Sequence, residues 1–168
     1  VLFRSHEQAI SFLNAYLDKS PYSEVAWHQL GRQYFVLDRF KEALTCFDYA
    51  VLIDESFIGG YLEKAKTYEQ LGEFEDAIKN YLLTLELDDP TAFAFVRIGE
   101  CYQKIGQLDE AISYYKKSVH EDPLLDKGWI LLSEAYYVQE DYQKALYYIS
   151  KALKIDESNA LYWRKYSD

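Results

Sequence analysis

The groups in this 168-residue chain that could do chemistry are three histidines, two cysteines and several acidic pairs. Their spacing argues against a reactive site. His6, His28 and His120 are scattered along the chain, and they do not combine with Cys46 or Cys101 into a set with metal-ligand spacing. No Ser-His-Asp or Cys-His arrangement can be assembled from them. Gly59-Gly60 has neither a preceding strand nor the rest of a phosphate-loop pattern, and reads as a tight turn. The pair Asp88-Asp89 sits where a helix must stop, so it reads as a solvated turn rather than paired catalytic carboxylates. Tyr114-Tyr115 and Tyr147-Tyr148 suggest a stacking platform, but the register below assigns Tyr115 to packing. The expectation is a protein with no catalytic residue, no metal and no cofactor.

The elements that would position any functional group are set by bulk composition and by a repeat. Nearly half the residues are apolar (49%), enough to build a core and too many for a disordered tail. The net charge of −10 disfavours nucleic acid and anionic membrane as partners. No run of about 18 apolar residues is present, so no membrane insertion is expected. Two well-separated cysteines read as free thiols packed as small apolar groups, which favours a cytoplasmic location. The opening Val1-Leu2-Phe3-Arg4-Ser5 is not a signal peptide, and the chain contains no Met.

Counted from Glu24 in steps of 34, the sequence falls into register. Position 4 reads Trp27, Tyr61, Phe95, Trp129 and Trp163. Position 8 is small throughout: Gly31, Ala65, Gly99, Ser133 and Ser167. Position 11 is tyrosine in Tyr34, Tyr68, Tyr102 and Tyr136. Position 20 is alanine in Ala9, Ala43, Ala77, Ala111 and Ala145. Each unit then consists of two amphipathic helices, A and B. Positions 4, 7, 8 and 11 share one stripe of A, and positions 20, 21, 24, 27 and 28 share one stripe of B. Acidic breaks with proline or serine end each B helix, as in Asp88-Asp89-Pro90 and Asp122-Pro123. The predicted map is a single array over 1–168. Residues 5–20 form a lone B helix; 24–57, 58–91, 92–125 and 126–159 are full units; 160–168 begin a further A helix. Trp163 and Ser167 lead to the expectation that a parent protein continues the array.

Trp27-x-x-Leu30-Gly31-x-x-Tyr34, followed by Ala43, Phe47 and Ala50, resembles the tetratricopeptide repeat. The unit with Phe95, Ile98, Gly99, Tyr102, Ala111, Tyr115 and Pro123 is similar to it too. The second unit departs at position 7, where Lys64 replaces a large apolar residue, and at position 27, where Thr84 replaces alanine. The resemblance implies an all-α, right-handed superhelical solenoid of antiparallel helix pairs, whose A helices line a concave groove that holds peptides or protein segments.

Carrying over the family's concave positions gives candidate groove residues. Position 5 reads His28, Leu62, Val96 and Ile130, an expected apolar strip in three units. Position 9 reads Arg32, Lys66, Glu100 and Glu134, basic early and acidic late. Position 12 reads Phe35, Glu69, Gln103 and Tyr137. The family's clamp for a C-terminal carboxylate, tried from the first unit, meets His28, Arg32, Glu63, Phe93 and Arg97, of which only Arg97 fits. Tried from the second unit, only Lys127 fits. Lys66, Arg97 and Lys127 share a diagonal, with Glu63, Glu100 and Glu134 placed to neutralise it. The resemblance thus implies a scaffold that binds a protein or peptide, without the clamp. Two alternatives stay open. One is a self-assembly module that uses either the convex face or the solenoid ends, the latter through the apolar faces of Phe12, Leu13, Tyr16 and Leu17 and of Leu161, Tyr162 and Trp163. The other is a regulatory array attached to an enzyme.

Overall fold

The computed structural model describes residues 2–155, with side chains from Ser5 onward; Trp163, Ser167 and the apolar run Leu161-Tyr162-Trp163 lie outside the described residues. The described residues contain helices and no strand: α1 (Leu2–Leu17), α2 (Glu24–Val36), α3 (Phe40–Ile53), α4 (Ile58–Leu71), α5 (Phe74–Leu87), α6 (Ala92–Lys104), α7 (Leu108–Glu121), α8 (Asp126–Val138) and α9 (Tyr142–Ile155). Even-numbered helices are A and odd-numbered helices are B. The chain divides into two compact units, Val1–Asp88 and Asp89–Asp168. In the first, α1 packs on α2, α2 on α3, α3 on α4 and α4 on α5; in the second, α6 packs on α7, α7 on α8 and α8 on α9. No helix among the described residues is long and apolar enough to cross a membrane.

The boundaries follow from capping chemistry. Ser23 and Thr91 begin α2 and α6 by accepting the backbone N–H of Ala26 and Ala94, each at 3.2 Å. Every A–B turn is closed in the same way. The residue at position 15 is left-handed in all four units: Asp38 (φ 57°), Gly72 (φ 78°), Gly106 (φ 79°) and Glu140 (φ 61°). The next backbone N–H then reaches back to the carbonyl of the position-11 tyrosine. Arg39 reaches Tyr34, Glu73 reaches Tyr68 and Gln107 reaches Tyr102, each at 2.9 Å, and Asp141 reaches Tyr136 at 3.0 Å. Each B helix that runs into an acidic break stops at an extended aspartate, Asp54, Asp88 or Asp122.

Packing within a unit turns on position 8. A Cβ on Gly31 would lie 2.5 Å from the Phe47 ring, and one on Gly99 would run into the Tyr115 ring. In these two units the A helix is bare at position 8 and the ring at position 24 seats directly on its backbone, whereas in the second unit Ala65 stands there with Tyr81 still buried. Where position 24 is the smaller Ile149, position 8 is Ser133, whose hydroxyl donates to the Ala145 carbonyl at 2.8 Å. A second small contact joins successive units. A Cβ on Gly60 would meet Val51, and one on Gly128 would meet Val119 and Ser118. The indoles of Trp27 and Trp129 donate to the carbonyls of Pro21 and Pro123, at 2.8 and 2.9 Å, tying each A helix to the break before it. The two departures from the family pattern are accommodated locally. Lys64 reaches Asp48 at 2.7 Å, and Thr84 donates to the Tyr81 carbonyl at 2.7 Å. Both cysteines are buried and neither is in a disulfide, and burial pushes the Cys46 thiol up to about 12.

Position 15 supplies a test in which neither substitution touches a neighbour. A Cβ at Gly106 meets nothing within 4 Å, so any loss comes from the backbone alone. Gly106→Ala is expected to cost about 1–2 kcal/mol. Glu140→Gly is expected to leave stability unchanged or raise it by a fraction of that. Urea denaturation of the two variants checks the opposite signs.

Candidate protein-binding faces

The A helices present two stripes. Positions 5, 8 and 12 are spaced i, i+3, i+7 and share one face. Because position 8 lies against the B-helix ring at position 24, positions 5 and 12 turn the same way. The structure accordingly corrects the expected solvent-facing strip at position 5. Val96 is 0% exposed, and Ile130 is 8% exposed, packed with Ile149 and Ala152 of α9. Leu62 is half-buried. His28 lies among aromatic rings, with centroids 5.9 Å from Phe47 and 5.2 Å from Phe57. Position 12 is also engaged in packing. Phe35 stands edge-on to Phe40 at 5.5 Å, and Tyr137 edge-on to Tyr142 at 5.4 Å. Where position 24 carries a hydroxyl, position 12 accepts from it: Tyr81 donates to Glu69 at 2.5 Å and Tyr115 to Gln103 at 2.8 Å.

The second stripe, positions 2, 6 and 9, carries the accessible side chains. In α6 it is Phe93, Arg97 and Glu100; in α8 it is Lys127, Leu131 and Glu134. Phe93 is 56% exposed. The Glu100 carboxylate is shared: one oxygen accepts from Arg97 at 2.9 Å and the other from Lys127 at 2.8 Å. In the first unit, Lys66 is held by Glu63 at 3.0 Å, and Arg32 is exposed. The cations Lys66, Arg97 and Lys127 thus each hold a carboxylate already, as their neighbours in the sequence led one to expect. Lys127 is the most accessible of these cations, 44% exposed in its side chain, so a ligand can exchange its partner most readily.

Reasoning from the sequence missed a different apolar surface. Tyr22 and Leu52 are exposed, and with Pro21, Trp27, Tyr49 and Ile53 they line an open concavity of about 670 Å³ on the first unit. Its signal was present: Tyr49 and Leu52, three residues apart on α3, fall outside the helix's buried stripe. No group of three or more His, Cys, Asp or Glu among the described residues could hold a metal ion.

Two predictions follow from the buried stripe. An aspartate at position 96 would be an unpaired charge in the core, so Val96→Asp is expected to lose about 3–5 kcal/mol. A thermal melt followed by circular dichroism that matches the parent would contradict this placement. The second concerns His28, whose Nε2 is buried without a hydrogen-bond partner. Burial lowers its pKa from 6.5; Arg32 and Lys66 lower it further, and Glu63 opposes them. The unfolded chain therefore takes up a proton at a pH where the folded chain refuses it. This group's contribution is full above pH 6.5 and is lost as the pH falls through the window below. His28→Leu is expected to flatten the fall in denaturation midpoint between about pH 7 and 5.

Comparison with known proteins places the architecture. Models described as tetratricopeptide repeat match residues 58–90, 94–123 and 126–159, together more than half of the chain. Among curated proteins no sequence relative matches significantly. Solved structures with a similar fold include a crystal structure of MamA, with 22% identity over 92% of this chain and 91% of that one and a TM-score of 0.86. MamA from Desulfovibrio magneticus RS-1 is 19% identical over 92% and 87% of the two chains, with a TM-score of 0.84. The APC/C hetero-tetramer Cut9-Hcn1 is 22% identical over 93% of this chain and 30% of that one, with a TM-score of 0.72. Likeness at these identities shows the fold alone. With its repeat register, its recurring turn and its matches to the repeat models, the chain belongs to the tetratricopeptide repeat family, a family of protein-interaction scaffolds.

Proposed function

We propose that the chain binds a segment of a partner protein on the accessible stripe of its A helices. The observation that carries this reading is the surface of α6 and α8. Phe93 is more than half exposed, at the head of a stripe that runs through Arg97 and Glu100 and is linked to Lys127 by the shared Glu100 carboxylate. A partner's apolar side chain gains by covering Phe93. Its carboxylate can take Lys127 while Glu100 stays with Arg97, so no charge is left unpaired. The aromatic group supplies burial and the ion pairs supply register. The apolar contribution moves from position 5, which the fold uses for its core, to position 2.

A second reading, association between copies, is favoured by one observation. Phe12, Leu13 and Tyr16 of α1, with Ser23, Val25, Ala26 and Gln29, line an open apolar hollow of about 250 Å³, and Phe12 is 71% exposed. Light scattering over a range of concentrations separates the two readings, since only this one predicts a mass that rises with concentration.

The first reading is tested by selecting peptides from a displayed library on the wild-type chain and following one of them by NMR. Shifts are expected at Phe93, Arg97, Glu100, Lys127 and Glu134. Phe93→Ala is expected to weaken binding about tenfold, the loss of one partly buried aromatic contact. Peptides that bind Phe93→Ala as well as wild type, or that shift only B-helix residues, would remove the A-helix face from consideration.

A further inference from the structure

The outer face of the last two B helices is built unlike the rest of this acidic chain. From Ala111 to His120, and over all of Tyr142–Ile155, α7 and α9 contain no carboxylate, although the chain carries a net charge of −10. Their lysines lie over aromatic rings. Lys116 and Lys144, from different helices, converge on one ring, 5.6 and 5.0 Å from the centroid of Tyr136. Tyr136 stacks on Tyr148 at 5.3 Å, and Tyr148 meets Tyr147 edge-on at 5.2 Å. Lys151 lies 5.0 Å from Tyr147. Lys117 lies 4.3 Å from Tyr114, which stacks on Tyr102 at 5.5 Å. Among the described residues Lys116, Lys117 and Lys151 form no ion pair, and Lys144 has the single partner Asp141 at 2.6 Å. Lys116, Lys117, Lys144 and Tyr147 are exposed.

We propose that this face is a second binding surface, for an acidic segment of a partner protein, with Lys116, Lys117, Lys144 and Lys151 as cations over a floor of tyrosine rings. Lys117 and Lys151, beside ring faces, keep their charge available, because a ring neutralises nothing and a carboxylate can approach from the solvent side; Lys116 is hydrogen-bonded to the neutral Tyr136, and Lys144 can exchange its surface partner Asp141. The spacing suits several carboxylates rather than one phosphate. Lys144 and Lys151 are two turns apart on α9, roughly 10 Å, which a single anion cannot bridge. The charge of the whole molecule selects the class of partner. A duplex or an anionic membrane extends well past the patch and meets the acidic remainder, where repulsion acts within a screening length of about 8–10 Å. A short acidic peptide touches the lysines alone. This surface lies on B helices and does not depend on the A-helix reading above.

The test uses fluorescein-labelled octaglutamate as probe, followed by anisotropy at low salt, with labelled octathymidylate of the same length beside it. Saturable octaglutamate binding is expected that weakens at least tenfold when salt is raised to about 0.2 M. The triple variant Lys116→Glu, Lys117→Glu, Lys151→Glu is expected to lose at least tenfold in affinity. Phe93→Ala, on the A-helix face, is expected to leave it unchanged, so the two readings fail separately. NMR of the wild type keeps the proposal testable if the triple variant does not fold: octaglutamate should shift Tyr136, Tyr147 and Tyr148. Absence of binding, shifts confined to the stripe of Phe93, Arg97, Glu100, Lys127 and Glu134, undiminished affinity in a folded triple variant, or octathymidylate binding at least as tightly would each overturn it.

Discussion

The contact between the small residue at position 8 and the large one at position 24 is the constraint on which this architecture rests. Gly31 against Phe47 and Gly99 against Tyr115 leave no room for a Cβ, so α2 and α6 approach their B helices as closely as backbone and ring allow, and Ala65 and Ser133 keep position 8 small in the other two units. Tertiary packing of this kind, more than intrinsic propensity, stabilises helices of 13 or 14 residues like these. The left-handed residue at position 15 and the return hydrogen bond to the tyrosine carbonyl at position 11 set the turn that brings the two helices together. The turn thus specifies the same hairpin four times, and in the first and third units the side-chain cap and the glycine–ring contact join it, with local and tertiary preferences in agreement.

That constraint also decides which side chains are free to act. Fixing position 8 against the B helix fixes the orientation of the whole A helix, since residues at i−3 and i+4 must follow. Position 5 is drawn into packing and position 12 into ring or hydroxyl contacts, while the other stripe includes the exposed Phe93 and Arg32, with Leu131 the exception that packs on the core. The pairing of positions 12 and 24 shows how closely the stripe is specified. A tyrosine hydroxyl at 24 meets Glu69 or Gln103, whereas Phe47 and Ile149, which have no hydroxyl, go with the aromatic residues Phe35 and Tyr137.

The two faces handle charge differently. On the A helices, cations are matched with carboxylates one turn away or on the next A helix, as with Arg97, Glu100 and Lys127. On α7 and α9 the lysines have aromatic rings in place of carboxylates. A paired surface exchanges partners at little cost and lends itself to register. A surface on which Lys144 alone of the four lysines has a carboxylate partner attracts acidic ligands from a distance and lends itself to capture.

The sequence by itself determined the fold, because a 34-residue period in residue type reports directly on which positions face a neighbour. It was sufficient for the helix pairs, for the small residue at position 8, for the burial of Tyr115 and for the carboxylates beside Lys66, Arg97 and Lys127. Only the tertiary structure decided between burial and exposure at position 5. Leu62, Val96 and Ile130 are equally apolar whether they line a groove or fill a core, and residue type carries no sign that separates the two. Nor could the pattern show that Lys116 and Lys144, 28 residues apart, would meet over a single tyrosine. The reason is geometric: periodicity specifies the face a residue occupies on its own helix, while the partner across the interface depends on how closely two helices approach, set here by Gly128 against Val119 and Ser118 and by Ser133 against Ala145.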